Sequence, residues 1–499
     1  MKIKFVLIFC LISYVGFAQS QLESSILKGL EYFYNFQFDK AEQKFNDIIK
    51  KYPEKPQGYH YLAQMYLWKY IGCKDEDEFS NFTKYSDLAL QKAEEIIEKD
   101  GNNYDVKYIL ASTHLLRVLA SAQKEPNFDA IGDTKIAINY FEEIIEDKPK
   151  FYDAYLGLGI LDYALSYVPG LFKWGLAMIG LSADKDRGLN YINKTYTKGK
   201  YSKTEAGLHL SNIYSDYLAN YKGAIKILKS LTSKYPNNSV FNYQLGSIYI
   251  KAKKLNDAEK SLNKVIQLNN KSFIQTNAYA YFLKGQIAFM KNDFEKAIPH
   301  YETFLEMTLE PNYSGIANYR LAICNYISGD KIKYLKHLKL ASSGNLDISD
   351  DYYANVKSGY LLENEIKDED ILLIKAQNLF ESGKYKDAFN ILNEKSDSLS
   401  NIENRGLAFY IVGESSYQLK KYNDAIEFCS EISSIDVKIE NWIIPSGAFT
   451  IAKAYYEKKE YEKSEDWLSL SERNNTYTYK EKLEPYILSL KQKLEGKNK

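Results

Sequence analysis

The side chains able to do chemistry are few and scattered. Five histidines, His60, His114, His209, His300 and His337, stand alone. None forms an H-x-x-x-H or H-E-x-x-H pair, the spacing that turns two imidazoles toward one zinc ion from a single helix face, and none neighbours a cysteine. Beyond residue 18 the cysteines are Cys73, Cys324 and Cys429, an odd number at wide spacing. That predicts neither a disulfide framework nor a metal cluster, only small buried residues. No G-x-S-x-G elbow, Walker A lysine loop or G-x-G-x-x-G run occurs, and the glycines of Gly157-Leu158-Gly159 read as helix-packing positions. The carboxylate pairs Glu94-Glu95 and Glu142-Glu143 read as solvated helix faces. No catalytic residue, cofactor or metal is assigned, and the chain is expected to be non-enzymatic.

The elements that would position any site are helices. The 499 residues carry 65 Lys+Arg against 65 Asp+Glu, with 45% hydrophobic and 26% charged residues. This is a folding composition without the basic balance that nucleic acid or an anionic membrane surface attracts. With 10 Pro and 26 Gly a turn-rich β-sandwich is not expected. Tyrosine is over-used, at 45 residues. At the N-terminus, Lys2 and Lys4 precede an apolar run from Phe5 to Phe17, and Gly16 and Ala18 are the small residues before Gln19. This is the pattern of a secretory signal peptide, so residues 1–18 are expected to be a leader and the remainder to be exported across the inner membrane, to the periplasm or to an outer membrane. Cys10 lies within the apolar run, away from any lipidation position.

Helical periodicity runs through the rest, with a unit of about 34 to 39 residues repeating. Each copy places a small residue on a first helix, an alanine twelve later and a large apolar residue four beyond that. Gly29, Ala41 and Phe45 form one copy; Gly246, Ala258 and Leu262 another; Gly285, Ala297 and Tyr301 a third; Gly413 and Ala425 a fourth. Pro53, Pro149 and Pro236 each fall twelve after Ala41, Ala137 and Ala224, where a second helix has to end. Small residues are expected where paired helices cross closely, with the large residues filling the gap to the next pair. In copies two to four the small-to-small distance stretches to 26, 26 and 29 residues (Ala63–Ala89, Ala111–Ala137, Gly159–Gly188), which predicts adjacent elongated hairpins.

This pattern resembles the tetratricopeptide repeat. The resemblance implies an all-α, right-handed α-solenoid of about eleven helical hairpins, closed by a cap helix over Tyr479–Glu495. One array is expected over 19–345 and a second over 365–499, with a junction near 345–365. Residues 23–235, above all Ala154–Trp174 and Asp184–Leu189, also resemble the fungal inclusion-body-clearance proteins and their animal tetratricopeptide relatives. Those relatives are linked to outer membranes and lipid bodies, but the export leader departs from them, so the likeness implies an adaptor role and not their location.

In such repeats the first helices line a concave groove. The residues three before and four after each small residue, with those between, give a candidate partner-binding set: Tyr243, Phe282, Gln286, Phe289, Tyr410, Glu414, Tyr417, Phe449, Lys453 and Tyr456. Two readings stand open: the aromatics stack between neighbouring first helices, or they anchor an extended peptide or helix. A second candidate is the apolar segment Tyr167–Ser182, where Phe172, Trp174 and Met178 would be buried in the long fourth hairpin or meet a partner. The expected function is an exported scaffold binding a protein or peptide in the cell envelope, with neither nucleic acid nor a small-molecule substrate. The alternative is a glycan-binding outer-membrane component resembling SusD-like proteins; Ala18-Gln19-Ser20 departs from their lipidated cysteine.

Overall fold

The computed structural model describes residues 20–124, 129–166, 184–473 and 476–497. Among them every regular element is a helix, and no strand occurs. In chain order they are α1 (20–34), α2 (Phe38–Lys51), α3 (Gln57–Cys73), α4 (Glu76–Ile97), α5 (Tyr104–Ser121), α6 (Ala130–Asp147), α7 (Ala154–Ser166) and α8 (Lys185–Lys198). There follow α9 (Lys203–Asp216), α10 (Tyr221–Lys234), α11 (Ser239–Lys251), α12 (Leu255–Leu268), α13 (Ile274–Met290), α14 (Phe294–Met307), α15 (Ser314–Ile327) and α16 (Lys331–Leu340). The last are α17 (Ser349–Glu363), α18 (Asp368–Glu381), α19 (Tyr385–Leu392), α20 (Ile402–Gln418), α21 (Tyr422–Glu431), α22 (Ile443–Glu457), α23 (Tyr461–Arg473) and α24 (Lys480–Glu495). Consecutive helices thus form eleven pairs among the described residues, with α17 between the eighth and ninth and α24 after the last. The fold is the all-α helix-pair solenoid with a terminal helix that the repeat pattern predicts.

Two compact units divide the chain. The first holds the described residues up to Asn212 with Lys226–Asn242 and Asn270–Phe273; the second holds Ile213–Ile225, Tyr243–Asn269 and the chain from Ile274 onward. Within the first, α3 and α4 run 17 and 22 residues and α5 and α6 run 18 each, against 14 for α2. The second and third hairpins are therefore elongated and adjacent, by one turn in most helices and two in α4. The insertion expected in the fourth falls on 167–183, outside the described residues.

Second helices bury one stripe at i, i+4 and i+7: Ala41, Phe45 and Ile48 in α2; Ala137, Phe141 and Ile144 in α6; Ala297, Tyr301 and Phe304 in α14. The large residue of the stripe meets its own hairpin as well as the next pair, where the Phe45 ring stacks on Tyr61 of α3 at 5.6 Å. A Cβ added at Gly29 would stand 2.3 Å from the Phe45 ring, one at Gly246 2.9 Å from Leu262 and one at Gly285 2.8 Å from Tyr301. The glycine of the first helix accepts the large side chain of its own partner helix, because a ring lying flat across a helix backbone needs the volume of the missing side chain. Where α7 crosses α8, glycine faces glycine across the helix pair: a Cβ on Gly188 would lie 2.8 Å from the Gly159 carbonyl oxygen.

The hairpin turns share a signature that composition hides. Phe36, Lys253, Asn292, Gly329, Gly383, Lys420 and Lys459 all have φ between +56° and +85°, each two residues before its second helix begins. Only two are glycine, so the left-handed turn is imposed by helix packing on residues that do not prefer it. The expected junction at 345–365 holds α17, which lies within the second unit. Its fully buried Asp351 accepts the backbone N–H groups of Ile316 and Asn345, both at 2.9 Å, and so ties α17 to α15. At the C-terminus α24 buries Ile487, Leu490 and Leu494 against Phe449, Ala452 and Leu468, so it contributes apolar area as well as a solvated face.

Candidate functional site

All ten expected groove residues belong to the second unit, and none is exposed: Phe282, Phe289, Glu414 and Phe449 are buried and the other six half-buried. Helices α20 and α22 bring four of them into one cluster. Glu414 accepts two hydrogen bonds from Lys453 Nζ, at 2.7 and 2.9 Å, another from Gln418 Nε2 at 2.9 Å, and a very short one from Thr450 Oγ1. Lys453 Nζ lies 4.2 Å from the Tyr417 ring centroid and 5.1 Å from that of Phe449. The pair is thus internally neutralised, with its cation sandwiched by rings, a geometry that fixes the two aromatic faces in place.

The other groove aromatics join their own neighbours. Tyr410 meets Phe380 at 6.0 Å and Trp442 at 5.0 Å, edge to face in both cases, and burial holds its hydroxyl well above the usual phenol range. Tyr456 lies 5.6 Å from Tyr461, and Tyr243 lies 6.2 Å from Tyr279. Phe282 packs on Phe304 at 5.2 Å and Tyr313 at 5.1 Å, and Phe289 on Phe294 at 5.4 Å. Gln286 sits between these two phenylalanines on α13, half-buried. Stacking between and within hairpins therefore occurs at most of these positions. It leaves half-buried tyrosine faces at Tyr243, Tyr410, Tyr417 and Tyr456.

Arg320, absent from the sequence-derived set, completes the middle cluster. Its guanidinium lies 5.9 Å from the Phe282 ring and 5.6 Å from that of Phe289, and its Nη1 donates to the Tyr301 hydroxyl at 3.2 Å. A lone arginine on α15 carries no motif, so nothing short of the packed structure would place it there.

Three of the histidines act as internal ties. His60 Nδ1 is 2.8 Å from Thr113 Oγ1, and His337 Nδ1 is 2.9 Å from Asn318 Oδ1. His114 Nδ1 lies 2.6 Å from Asp133 Oδ1, with Arg117 Nε 3.6 Å from the other carboxylate oxygen. This buried pair joins α5 to α6, nineteen residues apart in sequence, which hid it from spacing rules. Burial lowers His60 to about 3 and His209 to about 4, so both are neutral. Glu205 on α9 is a carboxyl that no motif marks: burial raises it to about 7, opposed by hydrogen bonds from Gln64 Nε2, at 2.6 Å, and from the Trp68 side chain.

Cys324 and Cys429 are buried free thiols and Cys73 is partly exposed; burial pushes Cys324 up to about 12. Among the described residues no group of three or more His, Cys, Asp or Glu side chains is placed to hold a metal ion, and no helix is long and apolar enough to cross a membrane. Phe172, Trp174 and Met178 lie outside the described residues.

Residues 153–341 match the family model described as Iml2/Tetratricopeptide repeat protein 39, and residues 358–432 match that of anaphase-promoting complex, cyclosome, subunit 3. The first match takes in the 154–166 and 184–189 stretches that carry the sequence resemblance; it reaches past 235 and does not include 23–152. No curated protein matches the chain. Among solved structures, the chain is similar to yeast Tom70 at 15% identity, covering 91% of this chain and 99% of that one with a TM-score of 0.30. Human IFIT1, solved as a dimer with PPP-AAAA, is similar at 12% identity over 83% of this chain and 94% of that one, with a TM-score of 0.36. The P58(IPK) TPR domain gives 16% identity over 83% and 94%, with a TM-score of 0.21. The matched tetratricopeptide family model and the helix-pair architecture together make this chain an all-α solenoid of tetratricopeptide-like hairpins.

Proposed function

We propose that the chain is an exported scaffold of the cell envelope that binds a protein or peptide partner along the aromatic first helices of its second unit. The observation that carries this reading is the set of half-buried tyrosine faces on α11, α20 and α22. Beside Tyr417 the polar groups of Glu414 and Lys453 are already satisfied internally. A surface prepared in this way offers rigid aromatic area with little left to order on binding, the feature that lets a few anchors supply most of an interface's free energy. Export rests on residues 1–18 alone, and mass analysis of the protein recovered from envelope extract tests it by whether the chain begins at Gln19.

The binding test is a crosslinking recovery from envelope extract with the native chain and with Tyr410→Ala/Tyr417→Ala, followed by affinity measurement on the recovered protein. Loss of two anchors weakens a genuine partner at least about tenfold. Equal recovery and equal affinity, with the helical circular dichroism of the variant intact, would reject the second-unit surface.

A further inference from the structure

The first unit contains a cavity of about 460 Å³, within the size range of small-ligand sites, that the reading above does not use. It opens among the N-terminal part of α1, the starts of α3 and α5, and the loops that precede α7 and α9. Its apolar lining is pre-formed: Leu22, Ile26, Tyr61, Val106 and Ile109 are all buried, and Phe151 and Tyr152 stand beside them half-buried.

Two features decide what such a cavity would take. The first is charge. Lys55, Lys150, Lys198 and Lys200 line it, facing the carboxylates of Glu23, Asp105 and Asp153, which leaves a net charge of +1. Asp153 is turned inward, accepting the backbone N–H groups of Lys200, Tyr201 and Ser202 at 2.8 to 2.9 Å, and Glu23 is held by Lys200. Lys150 and Lys198 are exposed and make no ion pair with any described residue. The second is an aromatic wall: Tyr61, Tyr108, Phe151, Tyr152 and Tyr201 all line the cavity.

We infer that this cavity binds a small amphipathic organic anion, with an apolar or aromatic body over Tyr61 and Val106 and an anionic head held by Lys150 and Lys198. A neutral apolar molecule leaves the lysines unused, and a cation meets like charge.

Calorimetry on the full chain tests this with indole-3-butyrate, which carries an indole N–H, an aromatic body and a carboxylate. The control is its neutral primary amide. One-to-one binding is expected, weaker by about tenfold or more for the neutral amide. Lys150→Glu/Lys198→Glu changes only exposed side chains and is expected to weaken indole-3-butyrate by about tenfold or more with unchanged circular dichroism. Absence of saturable binding by indole-3-butyrate, equal binding of acid and amide, or binding indifferent to the double lysine variant would each overturn the proposal. None of these results bears on the tyrosine surface of the second unit.

Discussion

Replacing Glu205 by glutamine isolates a buried carboxyl whose titration is coupled to folding. Burial raises Glu205 from 4.5 to about 7 in the native first unit. Between these values the native state binds more protons than the unfolded state, so stability falls as pH rises across that window. The stabilisation is fully present below pH 4.5 and is lost as pH passes through about 7. The shift of about 2.5, at 1.36 kcal/mol each, corresponds to roughly 3 kcal/mol in full, most of it reached by pH 8 and under about 1 kcal/mol at pH 5. Glutamine resembles the protonated side chain and does not titrate, so Glu205→Gln should be nearly neutral at pH 5 and stabilising by about 2–3 kcal/mol at pH 8. For a unit of this size that is a rise of roughly 5–10 °C in the melting of the first unit. His60 and His209, lowered by burial, carry the opposite dependence: their contribution is lost as pH falls below 6.5. Comparing variant with wild type at each pH cancels them. The assay is thermal melting at half-unit pH steps from 5 to 8, with hydrogen exchange of α3 and α9 amides locating the effect. A variant that tracks wild type across the whole range would show that Glu205 is ionised throughout, and the reasoning from burial would be wrong.

Three further outcomes are expected. Gly188→Ala places a Cβ 2.8 Å from the Gly159 carbonyl oxygen and 2.9 Å from Tyr163 N, both backbone atoms, so α7 and α8 have to part. A strain of about 1–3 kcal/mol should outweigh the roughly 1 kcal/mol that alanine gains in a helix, whereas Gly359→Ala, with nothing within 4 Å, should stabilise by about 0.5–1 kcal/mol. Urea midpoints moving the same way for both would contradict the close helix crossing. Leu490→Ala in α24 should cost about 2–5 kcal/mol and raise hydrogen exchange first in α23 and α24; unchanged protection there would mean that the terminal helix does not close the array. Iodoacetamide mapped by mass spectrometry should label Cys73 before Cys324 and Cys429, and equal rates would contradict the burial of the latter two.

Sequence alone determined the helix-pair architecture, because it is written locally. The alanine at the start of each second-helix stripe, the large residue four later and the proline past the helix end recur within single copies. Each follows from the 3.6-residue period and the volume that a helix crossing permits. Even so, the period did not say which partner each large residue meets, and Phe45, Leu262 and Tyr301 turned out to lie on the glycines of their own hairpins. The turns were illegible for a related reason. Packing of the two helices, and not residue preference, puts Phe36, Lys253 and Lys420 at positive φ.

Only the tertiary structure decided the polar sites. Glu414 and Lys453 were both legible as groove positions, but their mutual pairing spans 39 residues and two hairpins. The cage around Arg320, the His114–Asp133 tie, the buried Glu205 and the lysine-lined cavity all join residues from separate helices. Their properties come from desolvation and from neighbours in space, and a repeat pattern that fixes which face a residue occupies carries no record of what the next helix brings to it.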